Sequence, residues 1–389
     1  MTRRYYRGRD FRRALNIEEL RQVALRRLPG FQAEYLEGGS EDEVALRRNR
    51  SIFERIAWMP RALAGTGVPV TSCEILGDHL HLPLVIAPTG FNGMLWPQGD
   101  LALARAAETA GIAFTLSTVG NIAVADLNRQ LQRPAWFQLY PVKDEKTADR
   151  IIERAQEAGC DKLVVTVDVP ALGAREWDQR NYSRPLKLSP RSIFDVLMHP
   201  RWLTQVMLPK GPPEFANLEE FLPPEARSAV QGVRFMGTQI NPGLAWTDME
   251  RMRARWKGKF LLKGLLCVED AQRAAEMGCD GIVLGNHGGR QLDSCVTGIE
   301  LVRAVADAVG DRMTILVDGG FRRGSDVLKA LALGADGVMI GRAALYGLAA
   351  GGEAGVAHAI SLLRVEIERA LTLLGCHSLD DLGPHLIRA

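Results

Sequence analysis

The sequence predicts an α/β chain folded as a (β/α)8, or TIM, barrel, with a helical N-terminal extension and a long insertion after the fourth strand. Three observations carry this. Eight short apolar runs recur along the chain, and six of the seven intervals between their starts are about 22 to 32 residues. The runs are nearly continuous and rich in β-branched residues, which marks strands buried on both faces as in a parallel sheet. Amphipathic stretches that end on Gly fill the intervals, a common helix stop. A doubly wound sheet is the runner-up, but it needs no eighth unit and calls for an early GxGxxG, which is absent.

In chain order, residues 1–83 form an extension expected to pack as a helical preamble that closes the barrel's bottom. The barrel itself occupies 84–389. Its strands are LVIAP (84–88), FTLST (114–118), WFQLY (136–140) and KLVVTVD (162–168), then KFLLKG (259–264), GIVLGN (281–286), MTILVDGG (313–320) and GVMIG (337–341). Helical patterns such as DLALARAAETAG, DRIIERAQEAG, VEDAQRAAEMG and GSDVLKALALG separate them. Between the fourth and fifth strands the interval widens to nearly 100 residues, and the excess, 175–245, is Pro-rich and irregular. In a barrel that loop lies on the active face.

Composition removes several classes. The chain of 389 residues is 47% hydrophobic and 24% charged, so it is globular rather than disordered. Its net charge is only +2, with acids matching bases along most of the chain, which argues against nucleic-acid binding. The six cysteines form no CxxC pair, so neither a zinc site nor a disulfide framework is implied, and a reduced, cytoplasmic setting is expected. No apolar stretch reaches the ~18 residues of a membrane span. The start, MTRRYYRGRDFRR, holds six arginines without an apolar core behind them and reads as a solvated basic arm, not a signal peptide.

Function is sought at the C-terminal ends of the strands, where barrel enzymes place their chemistry. Those ends carry Thr89, Ser117, Gln138 with Tyr140, Thr166 with Asp168, Lys263, Asn286 with His287, Asp318 and Arg342. Every strand ends in polar groups. DGGFRRG and IGR follow the last two strands; such glycine turns at helix N-termini offer N–H groups to a phosphate, with Arg322 and Arg342 adding charge. A plain tight turn is the bland alternative. Lys263 closes an apolar strand and needs an anion or electron-rich partner; a structural salt bridge and a Schiff-base nucleophile remain open. His287, beside Arg290, suits a base next to an anionic substrate, with Asp168 bonding the imidazole. Arg175 and Arg290 read as a carboxylate clamp. Tyr35 and Tyr140 add hydroxyl donors.

Together GNHGGRQLD, DGGFRRG, FQLY, TVDVPALGARE and APTG resemble the FMN-dependent 2-hydroxy acid oxidase and dehydrogenase family, over about residues 18–380. EYLEGGSEDE, TGFNGMLWPQGDLALARAA and HPRW are most similar to its mandelate dehydrogenase and lactate dehydrogenase branch. The resemblance implies oxidation of an (S)-2-hydroxy acid to the 2-oxo acid with FMN as cofactor. It implies that Ala87, Pro88, Thr89 and Gly90 line the flavin and that Ser117, Gln138, Thr166 and Lys263 bond its ring and ribityl chain. Asp318, Gly320, Arg322, Gly341 and Arg342 then hold the ribityl and phosphate end. Tyr35, Tyr140, Arg175 and Arg290 grip substrate, with His287 as base and Asp168 as its partner.

Two departures from the family pattern stand out. Gly285 replaces the usual Ser before Asn-His, removing one flavin hydrogen bond, and Val119 stands where glycolate oxidase-like members carry Trp, leaving a roomier pocket. Gly90 stands where the oxidases commonly carry Ala, which points to a quinone-type acceptor in place of oxygen. The resemblance further implies a homotetramer and peripheral contact with the inner face of a membrane. For that contact the expected segment is 191–210, RSIFDVLMHPRWLTQVMLPK, with ten large apolar residues among bases and Trp202 near its middle. A Schiff-base aldolase using Lys263, and an IMP dehydrogenase-like barrel using Cys295, are competing classes. A yellow protein excludes the first, and the His-Gly-Gly-Arg context argues against the second.

Overall fold

Eight parallel strands close on themselves in sequence order in the computed structural model, which describes residues 6–184, 187–209, 211–222 and 235–388. The first five residues of the basic arm, Lys210 of the 191–210 segment and parts of the 175–245 insertion lie outside the described residues. The strands are β1 (Leu84–Ile86), β2 (Ala113–Ser117), β3 (Trp136–Leu139), β4 (Lys162–Thr166), β5 (Lys259–Leu265), β6 (Gly281–Leu284), β7 (Thr314–Asp318) and β8 (Gly337–Ile340). Each pairs with the next, and β8 returns to β1, which excludes the doubly wound sheet. Their continuous apolar runs follow from burial on both faces. One side chain per strand fills the lumen: Val85, Ala113, Trp136, Val164, Leu261, Val283, Leu316 and Met339. The barrel is therefore a packed core and not a pore.

The N-terminal extension divides its work, which corrects the expectation that it sits under the barrel. Only a hairpin, Cys73–Ile75 paired with Asp78–Leu80, closes the bottom, inserting Ile75 and Leu80 into the lumen cluster. Buried Lys162 at the foot of β4 bonds Asp78 at 2.7 Å, and the Trp136 indole N–H donates to the same carboxylate at 2.9 Å. Helix α1 (Ile17–Arg27), capped by Asn16, packs instead against the long C-terminal helix, and α2 (Gly30–Glu37) and α3 (Val44–Arg55) reach the opposite, C-terminal rim. There Ser40 N–H donates to Gly289 O at 2.9 Å.

The outer helices used below are α4 (Gly99–Ala110), α5 (Glu145–Glu157), α6 (Pro190–Leu197), α7 (Trp246–Arg255), α8 (Gly298–Val309) and α9 (Arg342–Leu374). The last kinks at Gly351 and Gly352. Gly111 ends α4 with φ +69°, a conformation that glycine adopts without strain. Between β4 and α7 the insertion contributes α6, short helical turns and the segment 235–244. The latter is tied to the barrel rim by a bridge between Ile240 and Val142.

Candidate active site

Side chains from all eight strand ends surround a cavity of about 280 Å3 at the C-terminal rim. Of the residues that the resemblance assigns to flavin, substrate or catalysis, all but Ser117, Gln138 and Asp168 line it directly. Those three stand one layer behind. Ser117 Oγ donates to Gln138 Oε1 at 2.8 Å and Gln138 Nε2 to Thr166 Oγ1 at 2.9 Å, so the pair orients Thr166. Asp168 backs His287, its Oδ1 lying 3.0 Å from Nδ1.

The Asp168–His287 pair defines a base. Burial pushes the Asp168 carboxyl up, but His287, its hydrogen bond and nearby Lys263 overcome this and hold it below the usual carboxylate range. An ionised Asp168 keeps the proton on Nδ1 and leaves the Nε2 lone pair facing the cavity. Tyr140 O–H, 3.4 Å from Nε2, is the donor there. Burial, then Asp168 and Tyr35, raise the Tyr140 phenol above its ordinary value, so it stays a neutral donor. His287 itself sits at φ +56°, a left-handed conformation followed by Gly288 and Gly289 at +66° and +76°.

One side of His287 is cationic. Arg290 donates to Tyr35 O and Gly38 O, both at 2.8 Å, and the ring of Tyr35 lies under both Arg290 and Arg175 at 5.1 and 6.0 Å. Burial, Arg175 and Arg342 together push Arg290 down to about 9, yet it remains charged at neutral pH. Among the described residues no carboxylate lies within ion-pair distance of Arg175 or Arg290. Asp178 acts on both only from beyond that distance, so the wall can still take an anion.

At the other end, Gly319 and Gly320 adopt φ +103° and +84°, leaving their N–H groups in a glycine turn, and Gly341 precedes the first turn of α9. Arg322 lies over the Tyr346 ring, and among the described residues its side chain has no carboxylate partner. Arg342 differs from its expected role. Its side chain donates to Leu36 O, Gly288 O and Gly38 O at 2.8–3.0 Å, propping the His287 turn, which leaves two of its five guanidinium N–H groups and its backbone N–H for an anion. Between the two ends, Lys263 pairs with Asp318. Burial pulls Lys263 down, but Asp318 and Asp168 more than offset it and favour the charged ammonium, whereas a Schiff-base nucleophile needs the neutral amine. Asp318 Oδ1 is buried without a partner, as a ribityl hydroxyl would require. Gly285 makes room for it: a Cβ there would stand 1.9 Å from that oxygen.

Residues not anticipated from sequence complete the walls. Phe215, Met236 and Leu244 of the insertion, with Phe91 and Leu172, add an apolar roof. Gly264, one residue before the end of β5, sits at φ +104°, where a Cβ would meet Asp168 Cγ at 2.5 Å. Its only sequence signal is the Lys-Gly break in an apolar strand.

Comparison with known proteins matches residues 24–389 to the family of FMN-dependent dehydrogenases. The chain belongs to the FMN-dependent dehydrogenase family. As a member it is an oxidoreductase that acts on CH–OH donors, with FMN as cofactor, and the cavity's glycine turns, arginines and orphaned Asp318 oxygen fit that group. (S)-Mandelate dehydrogenase of Pseudomonas putida is 41% identical over 96% of this chain and 93% of its own length. L-Lactate dehydrogenase of Alcaligenes faecalis is 39% identical over 95% of this chain and 97% of its own. Among solved structures of FMN-dependent dehydrogenases, the crystal structure of the monotopic membrane protein (S)-mandelate dehydrogenase superposes with a TM-score of 0.92 over 97% of this chain and 99% of that one. Mandelate oxidase with benzoyl-formic acid, 36% identical, superposes at 0.79 over 94% and 96%.

Proposed function

We propose that the protein oxidises an (S)-2-hydroxy acid of mandelate- or lactate-like kind to the 2-oxo acid and passes the electrons to a quinone-type acceptor. The observation that carries this reading is the pair of cavity arginines, Arg175 and Arg290, lacking a carboxylate partner beside the Asp168–His287 pair. The substrate carboxylate supplies an anion through bidentate bonds. Tyr35 and Tyr140 complete the grip, which places the substrate hydroxyl near His287 Nε2. His287 takes the proton, and Asp168 stabilises the imidazolium so formed. Lys263 presents its charge to the flavin ring, beside Thr166, with Ala87, Pro88, Thr89 and Gly90 as the ring's wall. Asp318, Gly320, Arg322 and Gly341 with the start of α9 would hold the ribityl phosphate. FMN, when bound, accepts the two electrons.

Two features support a membrane quinone. Ile193, Phe194, Leu197, Met198 and Leu208 are exposed on and after α6, with Phe194 66% and Met198 64% accessible. They form a peripheral apolar patch; among the described residues no helix is long and apolar enough to cross a membrane. Trp202 does not belong to that patch. It is buried, its indole N–H donates to Met94 O at 2.8 Å, and it meets Phe31 edge-on, so it anchors the segment to the barrel. Replacing both Phe194 and Leu197 with Glu is expected to abolish sedimentation with anionic lipid vesicles while leaving turnover with soluble dyes unchanged. Equal sedimentation of the double variant would remove the membrane from this reading.

The second feature is Gly90. A Cβ there would stand 2.6 Å from Val119 Cγ2, so the Gly90–Val119 packing excludes the extra methyl. Gly90→Ala alone is expected to weaken FMN retention and turnover roughly tenfold, and Val119→Ala in the same chain to restore both. No rescue would mean that the wall is not set by this contact. The alternative, an oxygen-using oxidase that makes hydrogen peroxide, draws on the similarity to mandelate oxidase. Anaerobic reduction by (S)-mandelate or L-lactate, then mixing with oxygen or a soluble quinone, separates the two. Faster reoxidation by quinone is the expected result; reoxidation by air at the rate of turnover, without advantage for quinone, makes the protein an oxidase. Assembly as a homotetramer belongs to the same reading, and light scattering checks it.

A further inference from the structure

Asn49, on α3 of the N-terminal extension, does not line the cavity, yet it is only 1% exposed. Its Nδ2 donates to Asn286 Oδ1 at 2.8 Å, and its Oδ1 accepts from Asn286 Nδ2 at 3.1 Å. Asn286 Oδ1 also accepts from Gly289 N–H at 3.0 Å, closing the turn that carries His287. That turn places three successive residues in the left-handed region, the first of them not glycine. A non-glycine residue held there costs of order 1 kcal/mol and persists only where its surroundings over-determine it.

The second face of Asn49 meets the glycine turn after β7. A Cβ on Gly320 would stand 1.8 Å from Asn49 O, and one on Gly319 would stand 3.2 Å from Asn49 Oδ1. One buried residue thus sits between the turn that presents the base, which its amide bonds, and the turn assigned to the phosphate, which its backbone carbonyl and Oδ1 pack against. The helix that bears it is seated by the same loop: Asp293 accepts from Val44 and Ala45 N–H groups at 3.1 and 2.7 Å, at the N-terminus of α3.

We infer that Asn49 is a positioning residue for the reaction: through Asn286 it holds the left-handed turn that aims His287 and fixes that turn against the neighbouring glycine turn. The inference rests on His287 being the base, which the His287→Asn variant tests separately. Loss of one orienting partner behind a reactive group costs about 10- to 100-fold. In the holoenzyme, Asn49→Ala is expected to slow anaerobic flavin reduction by that factor while leaving the Kd of the 2-oxo acid product unchanged. Hydrogen exchange at the Gly289 amide is expected to accelerate, a readout that does not depend on the chemistry assigned to His287.

Asn49→Asp keeps the volume but sets a carboxylate oxygen against Asn286 Oδ1, so it is expected to show the same split if Asn49→Ala fails to fold. Arg48→Ala serves as the control, because Arg48 lies on the same helix but bonds Glu300 of α8 and neither turn. It is expected to lower Tm with an unchanged reduction rate. Reduction within twofold of wild type in the Asn49 variants, or an equal loss of rate in Arg48→Ala, would overturn the inference.

Discussion

His287→Asn is expected to leave a yellow protein that binds substrate and reduces its flavin about 10²- to 10⁴-fold more slowly, the usual cost of losing a general base. The substitution is chosen for its backbone as much as its volume. Position 287 lies at φ +56°, and asparagine is among the few non-glycine residues that tolerate this conformation. The turn therefore survives the change, and Asn286, Gly288 and Gly289 keep their places. The carboxylate grip is also untouched, since Arg290 is held by the carbonyls of Tyr35 and Gly38 and not by the imidazole. FMN retention is expected to depend on the glycine turn at 319–320 and the start of α9, at the cavity's other end. Rapid mixing under anaerobic conditions reads the reduction step alone. A rate within tenfold of wild type, with substrate bound, would strip His287 of the role of base.

The sequence revealed the barrel because its signal is local. Each strand is a short apolar run buried on both sides, and several of the barrel's helices stop at a glycine, so both can be read without knowing what they touch. Closure of the ring then brings the polar ends at 89, 166, 263, 287, 318 and 342 to one rim, and His287 meets Asp168 across 119 residues. What stayed hidden depends on contacts across the fold. Trp202 looks interfacial by composition, but the N–H bond to Met94 places it inside. Arg342 looks like a phosphate ligand by its position after β8, but three carbonyls of α2's end and the His287 turn hold its side chain. The extension looks like a floor because it precedes β1, whereas α2 and α3 bind the rim through Ser40, Asn49 and the carbonyls beneath Arg290. No local pattern carries these.

Gly264 is the clearest case, and its replacement gives the second large effect. At φ +104° the residue occupies a region that side chains rarely adopt, and a Cβ would stand 2.5 Å from Asp168 Cγ and 2.8 Å from Oδ2. Asp168 has little freedom to retreat: it is buried and bonded to His287 at 3.0 Å. Backbone relief is no easier, because the register between β5 and β6 already shifts between Lys263 and Leu265, and Lys263 O accepts from Val167 N–H at 2.9 Å. Gly264→Ala must therefore either swing Asp168 off the imidazole or displace the end of β5 that carries Lys263. Strain and overpacking together are expected to cost about 2–4 kcal/mol of stability. Flavin reduction is expected to fall about 10²-fold, since the proton on Nδ1 loses its acceptor and Nε2 is no longer held as the base. Gly278→Ala separates the two effects: φ there is +80°, but nothing lies within 4 Å of the added methyl. It is expected to lose about 1 kcal/mol of stability and none of its rate. If folded Gly264→Ala reduced its flavin as fast as Gly278→Ala, the space Gly264 leaves for Asp168 would have no part in orienting the base.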